Sequence, residues 1–134
     1  MAKSQLLTKE QILSVDDSQS EIVDVPEWGG SVKVIGMTGA ERDRFENSFQ
    51  VGKGRKRRTE LKDVRAKLVA WTVVDEKGER LFNASDIPAL GKKSALALDR
   101  VFSVAMRLSG ITDEDVEEIT ENFPKTRNGV STSN

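Results

Sequence analysis

The chain has 134 residues, of which 37% are apolar and 32% charged, with a net charge of -1. That length fits one domain burying roughly two-thirds of its unfolded surface, and the charge exerts no overall pull toward nucleic acid or anionic membrane. Cysteine, histidine and tyrosine are all absent. Disulfides, thiolate metal sites, the commonest metal ligand and the commonest general base are therefore missing together, so no catalytic residue, cofactor or metal site is expected.

The N-terminus carries no early apolar run of the signal-peptide kind, and no stretch approaches the about 20 apolar residues of a membrane span. A soluble protein of a reducing cytoplasm is expected. Thr8-Lys9-Glu10-Gln11 has the spacing of a capping box and opens a short helix ending near Val15, where Asp16-Asp17-Ser18 breaks it. From Glu21 to Glu27 the chain alternates, with Val23 and Val25 on one face and Ile22 and Asp24 on the other. Trp28-Gly29-Gly30 is a turn, and Ser31 to Ile35 alternates again. Two alternating runs around Gly-Gly predict a β-hairpin. Pro26 lacks an N–H and marks the first strand as an edge. Such a hairpin is marginal alone and needs helices or another strand to lie against.

Thr38-Gly39-Ala40-Glu41 is a second capping box, starting a helix to about Phe49 with Phe45 and Phe49 on one face. Val51 to Arg58 reads as a loop. Thr59 is placed as the cap of a helix with the stripe Leu61, Val64, Leu68 and Trp71, flanked by Val69 and Val73 and stopped at Asp75-Glu76-Lys77-Gly78. A short extended piece over Arg80–Asn83 and one helical turn over Ser85–Leu90 follow. Lys92 to Leu108 is the most apolar segment, with Ala95, Leu98, Val101, Phe102, Ala105 and Leu108 on a broad face, and is expected to be the central helix. Gly110 caps it. An acidic helix over Thr112–Phe123 follows, with a weaker stripe of Val116, Ile119 and Phe123. The expected architecture is α+β: one mostly helical domain over residues 1–123 with an N-terminal two-stranded hairpin. Residues 124–134 form a polar tail, expected to be disordered.

Charge is unevenly spread. Residues 53–74 hold 8 basic and 2 acidic side chains, whereas residues 75–123 hold 6 basic and 11 acidic. The densest cluster is Lys53-Gly54-Arg55-Lys56-Arg57-Arg58. Those cations could neutralise phosphates, but no aromatic side chain interleaves them to stack bases, and a solvated loop facing acidic groups explains them as well. Nucleic-acid binding is therefore the second reading. The acids at 113–121 lack the glycine-centred spacing of a calcium loop and suit a helix N-terminus. Trp28 beside two glycines either staples its own turn, the favoured reading, or anchors a partner. The candidate partner-binding residues are Trp28, Phe45, Phe49, Arg55, Lys56, Arg57 and Arg58.

Two strings carry a family resemblance. Val25-Pro26-Glu27-Trp28-Gly29-Gly30 and Thr38-Gly39-Ala40-Glu41-Arg42-Asp43 resemble the N-terminal half of the tail assembly chaperones of long-tailed bacteriophages. Leu68-Val69-Ala70-Trp71, Leu81-Phe82 and Ala95 to Phe102 are similar to the helical second half. The resemblance covers about residues 6–123 and rests on a turn and a capped helix, not on chemistry. It implies a late, non-virion protein of the bacterial host cytoplasm that binds the tape measure protein, the helical ruler of the tail. It also implies a second, longer form made by frameshifting, through which the tail tube protein becomes a further partner. Self-association is compatible with this reading. A long amphipathic rod without its tube exposes an apolar stripe, and a small protein covering it in many copies would keep it soluble.

Overall fold

The computed structural model describes residues 5–60 and 62–121, and its elements begin where the sequence supplies caps and turns. Helix α1 (Lys9–Ser14) starts at Thr8, whose hydroxyl accepts from Gln11 N at 3.2 Å while Gln11 Oε1 accepts from Thr8 N at 2.9 Å. Strands β1 (Ser20–Val25) and β2 (Gly30–Ile35) pair antiparallel from Ser20↔Ile35 to Val25↔Gly30. A 3-10 turn over Pro26–Trp28 joins them, closed by Gly29 at φ +75°, which a side chain would strain. Val23, Val25 and Val34 point into the core, and Ile22 points out.

Helix α2 (Gly39–Asn47) repeats the reciprocal cap through Thr38 and Glu41, at 3.1 and 2.8 Å. It ends before Phe49, because Ser48 Oγ donates to the Phe45 carbonyl at 2.5 Å and closes the last turn. The segment read as a loop holds a small ribbon, β3 (Gln50–Val51) against β4 (Arg58–Thr59), with a 3-10 turn over Gly54–Lys56 at its tip. Thr59 is consequently not a helix cap. It is buried in β4 and accepts from Gln50 Nε2 at 2.8 Å, while Glu60 N donates to the Phe49 carbonyl at 2.6 Å.

Helix α3 (Val64–Thr72) starts later than expected, after Asp63 in the left-handed region at φ 56°. It also stops sooner. Val73 and Val74 form β5, which adds to β2 through Lys33↔Val74 and Val34↔Val73 and completes a sheet of order β1-β2-β5. Two β-branched residues at a helix end lose little by leaving it and gain a ladder. The return through Asp75–Gly78 is a tight turn in which Asp75 Oδ1 accepts from Lys77 N and Glu79 N.

After a capped 3-10 turn and helix α4 (Ile87–Leu90) comes α5 (Ala95–Leu108), started by Ser94, whose hydroxyl accepts from Ala97 N at 3.2 Å. This is the central helix, packed on α3 on one side and on the β1–β2 hairpin on the other. It buries Ala97, Leu98, Val101 and Ala105. Phe102 and Leu108 are half-buried and Ala95 is exposed, so the inward face lies closer to Ala97 than the sequence suggested. Helix α6 (Asp113–Glu121) follows Gly110. The side chains of Val116 and Ile119, together with Leu61, Phe123 and residues 124–134, lie outside the described residues.

The hairpin is fixed to α5 at both ends. Near its open end Gly36 sits so close to the helix that a Cβ there would strike the Leu108 carbonyl, and Met37 N donates to Ser109 Oγ at 3.0 Å. Arg107 reaches back to Glu21 at 2.7 Å and Arg100 to Glu27 at 2.9 Å.

Candidate interaction surfaces

The residues singled out from sequence fall into three environments. Phe45 and Phe49 are 3% and 1% exposed, so neither offers surface to a partner in this fold, which corrects their place among candidate contacts. They form an aromatic cluster: Phe45 meets Phe49 edge-on with ring centres 5.0 Å apart, and meets Trp71 at 5.8 Å. Cations close the cluster from outside, Lys67 lying 4.5 Å over Phe49 and Arg80 lying 4.6 Å over Trp71. Burial pushes the Lys67 ammonium below its ordinary range, with Asp63 pulling the other way. The four-residue spacing of the two phenylalanines identified a shared face. It could not say whether that face looks inward.

Trp28 is half-buried against the core at the hairpin turn. Its indole N–H is buried and has no hydrogen-bond partner among the described residues. The ring thus lies partly against the core at the hairpin turn and does not stand free in solvent.

Arg55, Lys56, Arg57 and Arg58 are exposed on the tip of the β3–β4 ribbon with Lys53. The tip is a built turn: Lys56 N donates to the Lys53 carbonyl at 3.0 Å, Arg57 N to Gly54 at 3.1 Å, and Gly52 at φ +84° admits no side chain because Lys56 O occupies that space. Arg58 pairs with Glu60 at 3.2 Å. Among the described residues Lys53, Arg55, Lys56 and Arg57 make no ion pair, whereas Arg42, Arg65, Arg80, Arg100 and Arg107 each hold a carboxylate.

One surface was missed by sequence reasoning. Helix α1 buries no residue at all, and the segment around it leaves Leu6 98%, Leu7 62%, Ile12 54%, Leu13 76% and Val15 59% exposed. Soluble domains rarely leave so many large aliphatic groups together in water without a use for them. The capping box at Thr8 identified the helix correctly. What a cap cannot reveal is whether the apolar side chains behind it reach a core. Among the described residues there is no cluster of side chains arranged to hold a metal, and no helix is long and apolar enough to cross a membrane.

Comparison with known families gives one match, spanning residues 8–122, to a family described as phage tail assembly chaperone. No curated protein and no solved structure matches the chain.

Proposed function

Because the chain belongs to the phage tail assembly chaperone family, we propose that it acts by binding the tape measure protein and keeping it soluble until the tail tube polymerises around it. The observation that carries this reading is the N-terminal arm. A helix with its own complete cap and no role in the core presents Ile12 and Leu13 to solvent, and the residues flanking it add Leu6, Leu7 and Val15. An amphipathic rod lacking its tube exposes a complementary apolar stripe. Covering it removes apolar surface from water on both partners, at about 25 cal/mol per Å² buried.

The arm suits repeated, reversible coverage. A helix of six residues buries too little to bind tightly alone, so occupancy comes from many copies along one rod, and each copy releases easily when the tube displaces it. The rest of the domain supplies solubility: its surface is heavily charged, and among the described residues its aromatic side chains are buried or half-buried. No step of this activity requires bond chemistry, and the role is non-enzymatic. It operates in the host cytoplasm, where tails assemble.

Co-expression with the tape measure protein tests this directly. The intact chain should raise the soluble fraction of that protein several-fold, and a variant carrying Leu6→Ser, Leu7→Ser and Leu13→Ser should lose most of the effect while remaining folded. Full rescue by the serine variant would sink the assignment of the arm. No rescue by the intact chain would sink the tape measure reading itself.

A further inference from the structure

Tape measure binding through the N-terminal arm leaves the basic tip of the β3–β4 ribbon without a role, and we infer that the tip is a second binding site, for the phosphate backbone of duplex DNA. Lys53, Arg55, Lys56, Arg57 and Arg58 are all exposed there. No carboxylate lies in the sequence between Glu46 and Glu60. Both of those are engaged, Glu46 by Arg42 at 3.2 Å and Glu60 by Arg58 at 3.2 Å. Among the described residues the other four cations of the tip hold no acid of this chain. The tip therefore does not serve to neutralise acidic groups of its own domain. Its cations are also held as a set. Gln50 Nε2 donates to the buried Thr59, Glu60 N donates to the carbonyl of the buried Phe49, and backbone hydrogen bonds from Lys56 and Arg57 close the turn between them. A ligand that meets a turn already built has little backbone left to order.

Charge density selects the ligand. Carboxylates along a helix face stand about 5–6 Å apart, whereas B-form DNA carries one negative charge per about 1.7 Å of its axis. Four unpaired cations between Lys53 and Arg57 match the denser of these two polyanions. The shape agrees. The strands of a ribbon lie about 4.8 Å apart and the major groove is about 12 Å wide, so a two-stranded tip can enter between two walls of phosphate. Arginine forks suit phosphate oxygens there. No aromatic side chain stands at 53–58 to stack an unpaired base, which turns the site away from single strands. Phosphate contacts carry no sequence information, so the binding is independent of base sequence. It is also confined to the tip, because residues 75–123 hold 11 acidic against 6 basic side chains and repel the same backbone.

Counting phosphates tests this. Four contacts release counterions with a logarithmic salt slope of about -3.6, so affinity for DNA should fall about 100-fold between about 0.05 M and about 0.2 M salt. Fluorescence anisotropy of a labelled, mixed-sequence duplex titrated with the full chain measures both quantities. Arg55→Ser, Lys56→Ser, Arg57→Ser should abolish binding at the lower salt. Lys56→Ser alone should make the slope shallower by about 0.9, which keeps the test decisive if the triple variant unfolds. Lys92→Ser, Lys93→Ser removes two exposed lysines elsewhere and should leave affinity and slope nearly unchanged. No binding of the duplex at about 0.05 M salt, or binding undiminished in the tip variant, would overturn the inference. So would an equal loss in the Lys92 and Lys93 variant, or tighter binding of the separated single strands. Labelled polyglutamate held at the tip more tightly than the duplex would reassign the site to an acidic protein. The serine variant at Leu6, Leu7 and Leu13 should bind DNA as the intact chain does, so this result is independent of what the N-terminal arm binds.

Discussion

Arg100 on α5 grips Glu27 at the hairpin turn with two nitrogens, Nε to Oε1 at 2.9 Å and Nη2 to Oε2 at 3.0 Å, across 73 residues of sequence. The fork geometry fixes the hairpin turn against the helix as well as attracting it.

This pair gives the first prediction. The hydrogen bond from Arg100 holds the Glu27 carboxyl below its ordinary value of 4.5. The folded state therefore binds that proton less tightly than the unfolded chain. Its stabilising effect is full above the ordinary value and disappears as pH falls through the lower native one. Between about pH 7 and about pH 2 the midpoint of wild-type unfolding should fall further than that of Arg100→Gln, the two converging at the acid end. Parallel pH profiles would show that the fork contributes nothing. Asp115, lowered chiefly by its bonds with Thr112, remains in both proteins and cancels in the comparison.

Phe49→Ala removes a ring that is 1% exposed and packs on Phe45. Urea denaturation should register a loss of about 3–5 kcal/mol. Any loss of partner binding by this variant should track its unfolded fraction and vanish under conditions where the domain is folded.

Gly36→Ala places a methyl group against the Leu108 carbonyl. Backbone cannot yield as a flexible side chain does, so the hairpin and α5 must separate slightly. A loss of about 1–3 kcal/mol is expected by thermal or chemical unfolding. Gly30→Ala is the control: nothing lies within 4 Å of the added carbon.

Serine at Leu6, Leu7 and Leu13 should leave the thermal midpoint within the range of a surface change, about 0.5 kcal/mol, because all three side chains are largely exposed. A fall of several degrees by calorimetry would mean that the arm docks on its own domain.

Where the sequence carried local chemistry, it was a good guide to the fold. Thr8 and Thr38 cap the helices that their spacing announced, Gly29 and Gly30 lie at the hairpin connection, and Leu98 and Val101 sit in the core of the helix expected to be central. It was a poor guide where long-range pairing decides. Thr59 has the composition of a cap, yet its hydroxyl finds Gln50 across the ribbon. Val73 fits a helical stripe, yet β2 offers it a ladder. Strands of two residues have no period to detect. Interaction surfaces were less legible still, since a short apolar run looks the same whether a core receives it or water does. Phe45 and Phe49 share the face their spacing predicts, but that face is core and not partner surface, while the helix read behind Thr8 leaves Leu6, Leu7, Ile12, Leu13 and Val15 exposed.

The clasp between the hairpin and α5 also dictates when the domain can exist. Glu21 meets Arg107 across 86 residues, and Glu27 meets Arg100 across 73. During synthesis β1 and β2 therefore emerge long before the helix that seals them, and their inward valines wait in water until residues near 108 have left the ribosome. Closing so long a loop defers the reward for ordering the hairpin, so assembly should be slow for a chain this rich in helix. The arm at the N-terminus is subject to no such delay. Its cap is local, so α1 can take shape and meet an apolar surface while the rest of its own domain is still being made.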